Sequence, residues 1–176
     1  LMATARRQLG YVSSLTTQNV VVTTGITTDF LIIGGGGGGG AYGGGGAGGY
    51  RNSVSGESQG GLGTLDPQLN LLRNVTYTVT IGAGGASSAR QGFTSLIRGT
   101  GLPAVISLGG GGGGVAGNNQ TTGRSGGSGG GTVGATAGGD GEINQGFAGG
   151  TGNAASFGSG GGGGAGAVGG NASATT

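Results

Sequence analysis

The sequence predicts a mostly β and irregular fold in which short β-strands lead into packed polyglycine-II helices, a glycine-rich lattice or sandwich with little α-helix. Three observations predict it. Glycine supplies 55 of 176 residues, much of it in unbroken runs at 34–40, 109–114 and 160–164. Short β-branched segments run directly into glycine: Phe30-Leu-Ile-Ile33 into the first run, Val75-Thr-Tyr-Thr-Val-Thr-Ile81 into Gly82-Ala-Gly-Gly85, and Ala104-Val-Ile-Ser-Leu108 into the second run. No segment carries a sustained helical apolar period, and beyond residue 30 glycine is too frequent for helices, at roughly 1 kcal/mol each against alanine.

The strands follow in order. Gln18-Asn-Val-Val-Val-Thr-Thr24 reads as a strand, in a glycine-poor N-terminal segment, 1–29, whose first ten residues are compatible with a short helix. The glycine-rich domain is expected over 30–176. Val75 to Ile81 alternates, with Val75, Tyr77, Val79 and Ile81 on one face and Thr76, Thr78 and Thr80 on the other, so a half-buried strand is expected. Phe93 to Arg98 is a further strand candidate, and Phe157-Gly-Ser leads into the run at 160–164. Arg51 to Pro67, Ser87 to Gly92, Asn118 to Gly130, Gly139 to Gln145 and Gly152 to Ser156 are expected as polar loops, from their Ser, Asn, Gln and Gly content.

Ordered glycine needs a physical reason. Fixing a backbone costs about 1–2 kcal/mol per residue, glycine loses the most, and it has no side chain to bury in return. Polyproline-II geometry offers compensation. It has three residues per turn and no internal hydrogen bonds, so every amide points outward and can bond a neighbouring rod. Only glycine lets many such rods pack side by side. Interruptions such as Ala41-Tyr42, Ala47 and Ala165 are expected on outer rods or outward faces. The competing expectation is glycine loops draped over a small β-domain.

Composition also excludes function classes. The strict Gly-X-Y period of collagen is missing, and there are only 2 prolines. With 0 His and 0 Cys, Ser-His-Asp and Cys-His nucleophilic sites and the usual zinc sites are absent, so no enzyme, cofactor or metal site is expected. Asp140 and Glu142, two apart, read as a solvated turn. Gly34 to Gly40 follows a strand but lacks the Gly-Lys-Ser/Thr ending of a phosphate loop. Seven basic residues, all arginine, face five acids, too sparse for a nucleic-acid patch. No apolar run approaches the roughly 20 residues of a membrane helix.

Phe30 through the glycine run to Ala41-Tyr42 and Gly48-Gly-Tyr50-Arg51, followed by Asn74-Val-Thr-Tyr-Thr-Val-Thr-Ile-Gly-Ala-Gly-Gly85 and a second glycine run, resembles the glycine-rich domain of tailed-phage tail-fibre and virion proteins, frequent in phages of aquatic bacteria including cyanophages. The match covers residues 30–114, with the tail to Gly170 similar in style. The composition is also similar to distal adhesins of some T-even-like phages, in which polyglycine helices form a sandwich and the loops between them touch the host receptor. The resemblance implies a non-enzymatic virion structural or adhesion protein, located on the virion or extracellularly.

Its expected partners are other copies of the chain, as a trimer or filament, and a host surface glycan or outer-membrane protein. Candidate contact residues are Tyr42, Tyr50, Arg51, Asn52, Asn118, Asn119 and Arg124, since aromatic and Arg groups beside glycine suit sugar stacking or, equally, capping of the lattice. Val20, Val21 and Val22 are the expected subunit-contact strand. The alternatives are a subunit of an extracellular microbial filament or matrix assembled by strand exchange, and an ice-binding protein. Sequons stand at Asn74, Asn119 and Asn171.

Overall fold

The computed structural model describes residues 25–87, 89–116, 121–153 and 158–173. The expected strand Val20 to Val22 and the contact candidates Asn118 and Asn119 lie outside them. Among the described residues there is no α-helix, and seven short strands build small antiparallel sheets. β1 (Gly25–Thr28) pairs with β4 (Leu69–Leu72), β2 (Leu31–Ile33) with β3 (Tyr50–Asn52), and β5 (Tyr77–Thr80), β6 (Ser95–Gly99) and β7 (Leu102–Ser107) form a three-stranded sheet in that order. The strands expected at Phe30–Ile33, Val75–Ile81, Phe93–Arg98 and Ala104–Leu108 are all present within a few residues. β1 falls in the expected N-terminal segment, and its pairing with β4, Gly25 opposite Leu72 and Thr28 opposite Leu69, ties it to the glycine-rich part.

The glycine runs are rods, and the hydrogen bonds define their geometry. In a β-strand the amides facing one neighbour recur every second residue; in a three-fold rod they recur every third. Gly34, Gly37 and Gly40 donate to the carbonyls of Gly49, Gly46 and Gly43, and the intervening Gly35 and Gly38 donate to Phe93 and Arg90, all at 2.8–2.9 Å. Gly43, Gly46 and Gly49 donate in turn to Gly114, Gly111 and Leu108. The period is three throughout, which is polyglycine-II packing.

The 127–133 rod shows the lattice complete. Ser128 and Gly131 donate to the 43–49 rod, at Ala47 and Gly44. Gly129 and Thr132 donate to Phe147 and Gly150, and Gly130 and Val133 to Arg124 and Thr121. Its carbonyls accept from three other rods: Ser128 and Gly131 from Gly111 and Gly114, Gly129 and Thr132 from Gly163 and Gly160, Gly130 from Gly139. Three neighbours are bonded by donation and three by acceptance, a hexagonal surround. All of residues 127–133 and 109–114 are buried.

The bonds set three layers. The first runs from the 82–86 rod through 34–40, 43–49 and 158–164 to 167–172; the second holds 89–93, 109–114, 127–133 and 147–151; the third holds 121–126 and 138–142. Backbone takes the place of an apolar core. Among the described residues the buried hydrophobic side chains are Leu69, Ala89 and Val133. None of the rod glycines has a positive φ, so an L-residue's torsions would be acceptable there. Glycine is required by lateral closeness instead. A Cβ on Gly37 would stand 2.1 Å from the Gly111 carbonyl, and one on Gly113 2.0 Å from that of Gly43, whereas Gly36 and Gly39, three apart, face open space with nearest atoms at 3.8 and 3.9 Å. Ala41, Tyr42 and Ala47 are exposed and Ala165 is half-buried, which agrees with interruptions on outward faces.

Proline tests the rod geometry. Its φ is preset for polyproline-II and it lacks an N–H, and the Gly36 amide has no acceptor among the described residues. Gly36→Pro is expected to leave the melting temperature unchanged or to raise stability by about 0.4–1 kcal/mol. A clear drop in thermal denaturation would contradict a three-fold rod at this position.

Two expectations are corrected. The segments expected as the loops Ser87–Gly92, Asn118–Gly130 and Gly139–Gln145 contribute rods at 89–93, from Thr121 to Gly130 and from Gly139 to Glu142. The face of Val75, Tyr77, Val79 and Ile81 is half-buried only at its start, with Val79 and Ile81 61% and 80% exposed, because no described element covers that end of the sheet.

Candidate functional site

Several of the turns between rods gather at one end, while those at 126–127, 143–146 and 164–167 lie at the other, beside β3 and Gly61. A chain of bonds marks the first end: Gly40 to Gly43, Gly43 to Gly114, Gly114 to Gly131, Gly131 to Gly44, Gly44 to Gly160, Gly160 to Thr132, Thr132 to Gly150 and Val133 to Thr121. Beyond it lie the turn at 41–42, residues 115–116, the turn at 134–137 and residues 151–153. At the opposite end, Gly34, Gly49 and Leu108 continue directly into β2, β3 and β7. The lattice thus separates a sheet end from a loop end.

The described segments at this end, Ala41, Tyr42, Val115, Ala116, Thr121, Thr122, Gly134 to Ala137, and Thr151 to Asn153, carry no charge; the exposed Arg90, just after the turn that bonds Gly39 through the Ala89 amide, lies to one side of them. Tyr42 is the large group of this end, 56% exposed. Gly134, at φ 79, turns the central rod into the 135–137 segment, where a left-handed torsion favours glycine. The Thr132 hydroxyl, within 2.6 Å of the Thr121 carbonyl and 2.7 Å of the Thr136 hydroxyl, pins two of these turns together. The tip is therefore a largely uncharged surface of hydroxyl, amide and aromatic groups, suited to hydrogen bonding and stacking on a neutral ligand.

The remaining candidates divide. Tyr50, Arg51 and Asn52 form β3 at the sheet end, away from Tyr42. Arg51 donates through Nε to Asp66 Oδ2 at 2.9 Å, pairs through Nη2 with Oδ1, and donates through Nη1 to the Ile106 carbonyl at 3.0 Å. Its guanidinium joins β3 to β7. Burial on its own would raise the Asp66 carboxyl, but hydrogen bonds from Arg51 and Gln59 and the charge of Arg51 outweigh it and hold the carboxyl below its ordinary value.

Asn52, expected as a contact residue, is 0% exposed. It is a framework residue, with Nδ2 donating to the Ser58 carbonyl and Oδ1 accepting from the Val54 amide. The half-buried Tyr50 places its hydroxyl 3.4 Å from Glu57. Burial and then the Glu57 carboxylate raise that phenol above its ordinary value. Arg124 has an exposed side chain, while its amide and carbonyl bond Gly112 and Gly130 within the lattice. The Asn74 sequon is exposed after β4, and Asn171 accepts from the Thr151 amide at 2.8 Å.

Among the described residues no group of three or more His, Cys, Asp or Glu is placed to hold a metal ion, and no helix is long and apolar enough to cross a membrane. The signal for the loop end was present in the sequence as the non-glycine residues between tracts; what it lacked was the antiparallel and parallel order that brings them together.

The fold and its loop end define a glycine-rich lattice scaffold. The chain belongs to the glycine-rich domain family, whose model matches residues 13–176. No curated protein and no solved structure shows significant similarity to it.

Proposed function

We propose that this is a non-enzymatic virion structural or adhesion protein of the tail-fibre or fibre-tip type, which presents its loop end to a host-surface glycan or outer-membrane protein. The observation that carries the proposal is the separation of ends: rods of about two turns hold the turns at 41–42 and 134–137 and the residues around Thr121 and Thr151 in one largely uncharged surface, opposite the sheets. A binding surface on a rigid scaffold loses little entropy on engagement. The sheet end faces neighbouring subunits, in a homo-oligomer on a virion or outside a cell.

A binding assay against host envelope preparations tests it. Tyr42→Ala is expected to weaken binding about tenfold or more, as for a central aromatic anchor, while Tyr50→Ala at the opposite end leaves it within about twofold. Binding that survives both Tyr42→Ala and Thr136→Ala would remove the loop end from the contact.

One observation favours the second reading, a filament or matrix subunit. The outer edge of β5 makes no backbone bond to a described residue, and Leu31, Ile33, Val79, Ile81 and Phe93 are each at least 51% exposed. An unpaired edge beside apolar side chains is a template for strand addition. Electron microscopy of the purified protein separates the two: open-ended helical polymers support the filament, discrete particles the fibre tip.

A further inference from the structure

The three-stranded sheet has one blunted edge and one open edge. On β7, Pro103 has no amide to offer, and the Ile106 carbonyl accepts from Arg51 Nη1 at 3.0 Å. Proline on an edge is one of the devices that keep sheets apart. β5 carries none of them. Tyr77-Thr-Val-Thr-Ile81 has no charge and no proline, its register with β6 is unbroken, and Thr78, Val79, Thr80 and Ile81 are all exposed.

Hydrogen bonds fix which groups the open edge offers. In an antiparallel sheet the N–H and C=O of one residue point to the same side, and successive residues point to opposite sides. Ile106 bonds Arg51, and Leu108 bonds Gln145 Oε1 and the Gly49 amide, both at 2.8 Å, so these residues face away from β6. Val105 and Ser107 therefore face β6, where they oppose Ile97 and Ser95. Leu96 and Arg98 are left facing β5, opposite Thr80 and Thr78. Tyr77, Val79 and Ile81 consequently turn their main-chain groups outward, and those of Ile81 have no partner among the described residues.

We infer that β5 pairs with the β5 of a second copy, antiparallel, about a two-fold axis beside Val79. In that register Val79 meets the partner's Val79, Tyr77 meets the partner's Ile81, and Thr78 meets the partner's Thr80. Aromatic with β-branched and Thr with Thr are favoured cross-strand pairs, so this edge is its own complement in length, side chains and amide direction. The three outward residues exchange about six main-chain bonds with the partner. A cavity of about 260 Å³ is bounded by Leu31, Ile33, Val79 and Ile81. On that face the ring of the partner's Tyr77 covers Ile81, which is 80% exposed in the single chain.

Charge permits the pairing. Arg98 is the one charged side chain of β5 to β7. Ordinary strand spacing puts the two copies of Arg98 about 15 Å apart, beyond the roughly 8 Å over which salt screens. Such a contact closes on itself, so this edge gives a dimer and no open polymer. The inference rests on the sheet end being the subunit contact and names the strand that makes it; the loop end does not enter.

The test is sedimentation velocity on the wild-type chain and two variants at the axis. Val79→Lys and Val79→Glu each set like charges opposite one another and are expected to weaken self-association at least about tenfold. An equimolar mixture sets Lys against Glu and is expected to restore the dimer. That rescue arises only where residue 79 meets its own counterpart; a donor strand from elsewhere, Val20 to Val22 included, would not produce it. Val79 is 61% exposed and its amide bonds nothing within the sheet, so a glycine amide spectrum like that of wild type is expected from both variants. In the wild type itself, hydrogen exchange at the Val79 and Ile81 amides is expected to slow at least about tenfold from dilute to concentrated solution, while Gly36 is unchanged. A wild type that stays monomeric up to about 1 mM, open-ended polymers, or a mixture without rescue would overturn the pairing. Association that persists in both variants would also overturn it, while leaving another subunit contact standing.

Discussion

Gly113→Ala is expected to unfold the lattice or to cost at least about 3 kcal/mol, although it adds one methyl group. Overpacking an ordinary core costs about 1–3 kcal/mol because neighbouring side chains shift. Here there is no side chain to shift. The new Cβ would lie 2.0 Å from the Gly43 carbonyl oxygen and 2.6 Å from its carbon, so one rod must move away from another. The bonds from Gly43 to Gly114 and from Gly46 to Gly111 are lost with that movement, at roughly 1 kcal/mol each. Gly36→Ala is the control. It makes the same chemical change with the nearest atom at 3.8 Å, and the lower entropy of its unfolded chain predicts a gain of about 0.4–1 kcal/mol. Chemical denaturation of both variants measures the contrast. Equal effects at residues 36 and 113 would mean that the rods are not laterally bonded.

The same contrast shows how much was legible in the sequence. The strands before the glycine runs were visible because β-branched residues and alternation report local backbone preference. β3 was not, since Tyr50-Arg-Asn52 has no such pattern and becomes a strand only because β2 lies beside it, Ile33 opposite Tyr50. β1 and β4 likewise depend on each other.

The most buried rod was the least visible. Residues 127–133 are interrupted by Ser128 and Thr132, so they do not read as an unbroken tract. Ser128 fits because Gly146 lies opposite, where a Cβ would stand 2.1 Å from Ser128 Oγ; Thr132 fits because it lies at the rod's end. A lattice requires glycine only where a backbone faces it, a property of the neighbours in space. The candidate site suffered in the same way. Tyr42 and Tyr50 flank one rod in sequence, yet that rod's length places them at opposite ends of the lattice.

The sheet end supplies the second large effect. Asp66→Ala is expected to cost about 2–3 kcal/mol at neutral pH, because it leaves three donors without their acceptor. The Arg51 and Asp66 side chains are 25% and 17% exposed, and Gln59, 2% exposed, donates Nε2 to Asp66 Oδ2 at 2.9 Å. Gln59 in turn accepts the Asn52 amide at 2.8 Å, so the loss reaches β3. The pH dependence separates charge from packing. The folded carboxyl titrates below its ordinary value, so between the two values the unfolded chain binds the proton and the folded chain does not. The ion pair's contribution is then complete above the unfolded value, roughly 3.9, and is lost as the pH falls through the folded one. Wild type and Asp66→Ala melting curves are therefore expected to lie furthest apart at about pH 6–7, well above that titration, and to converge toward about pH 2–3. A gap that stays constant across this range would assign the effect to the missing side-chain volume and not to the Arg51 pair.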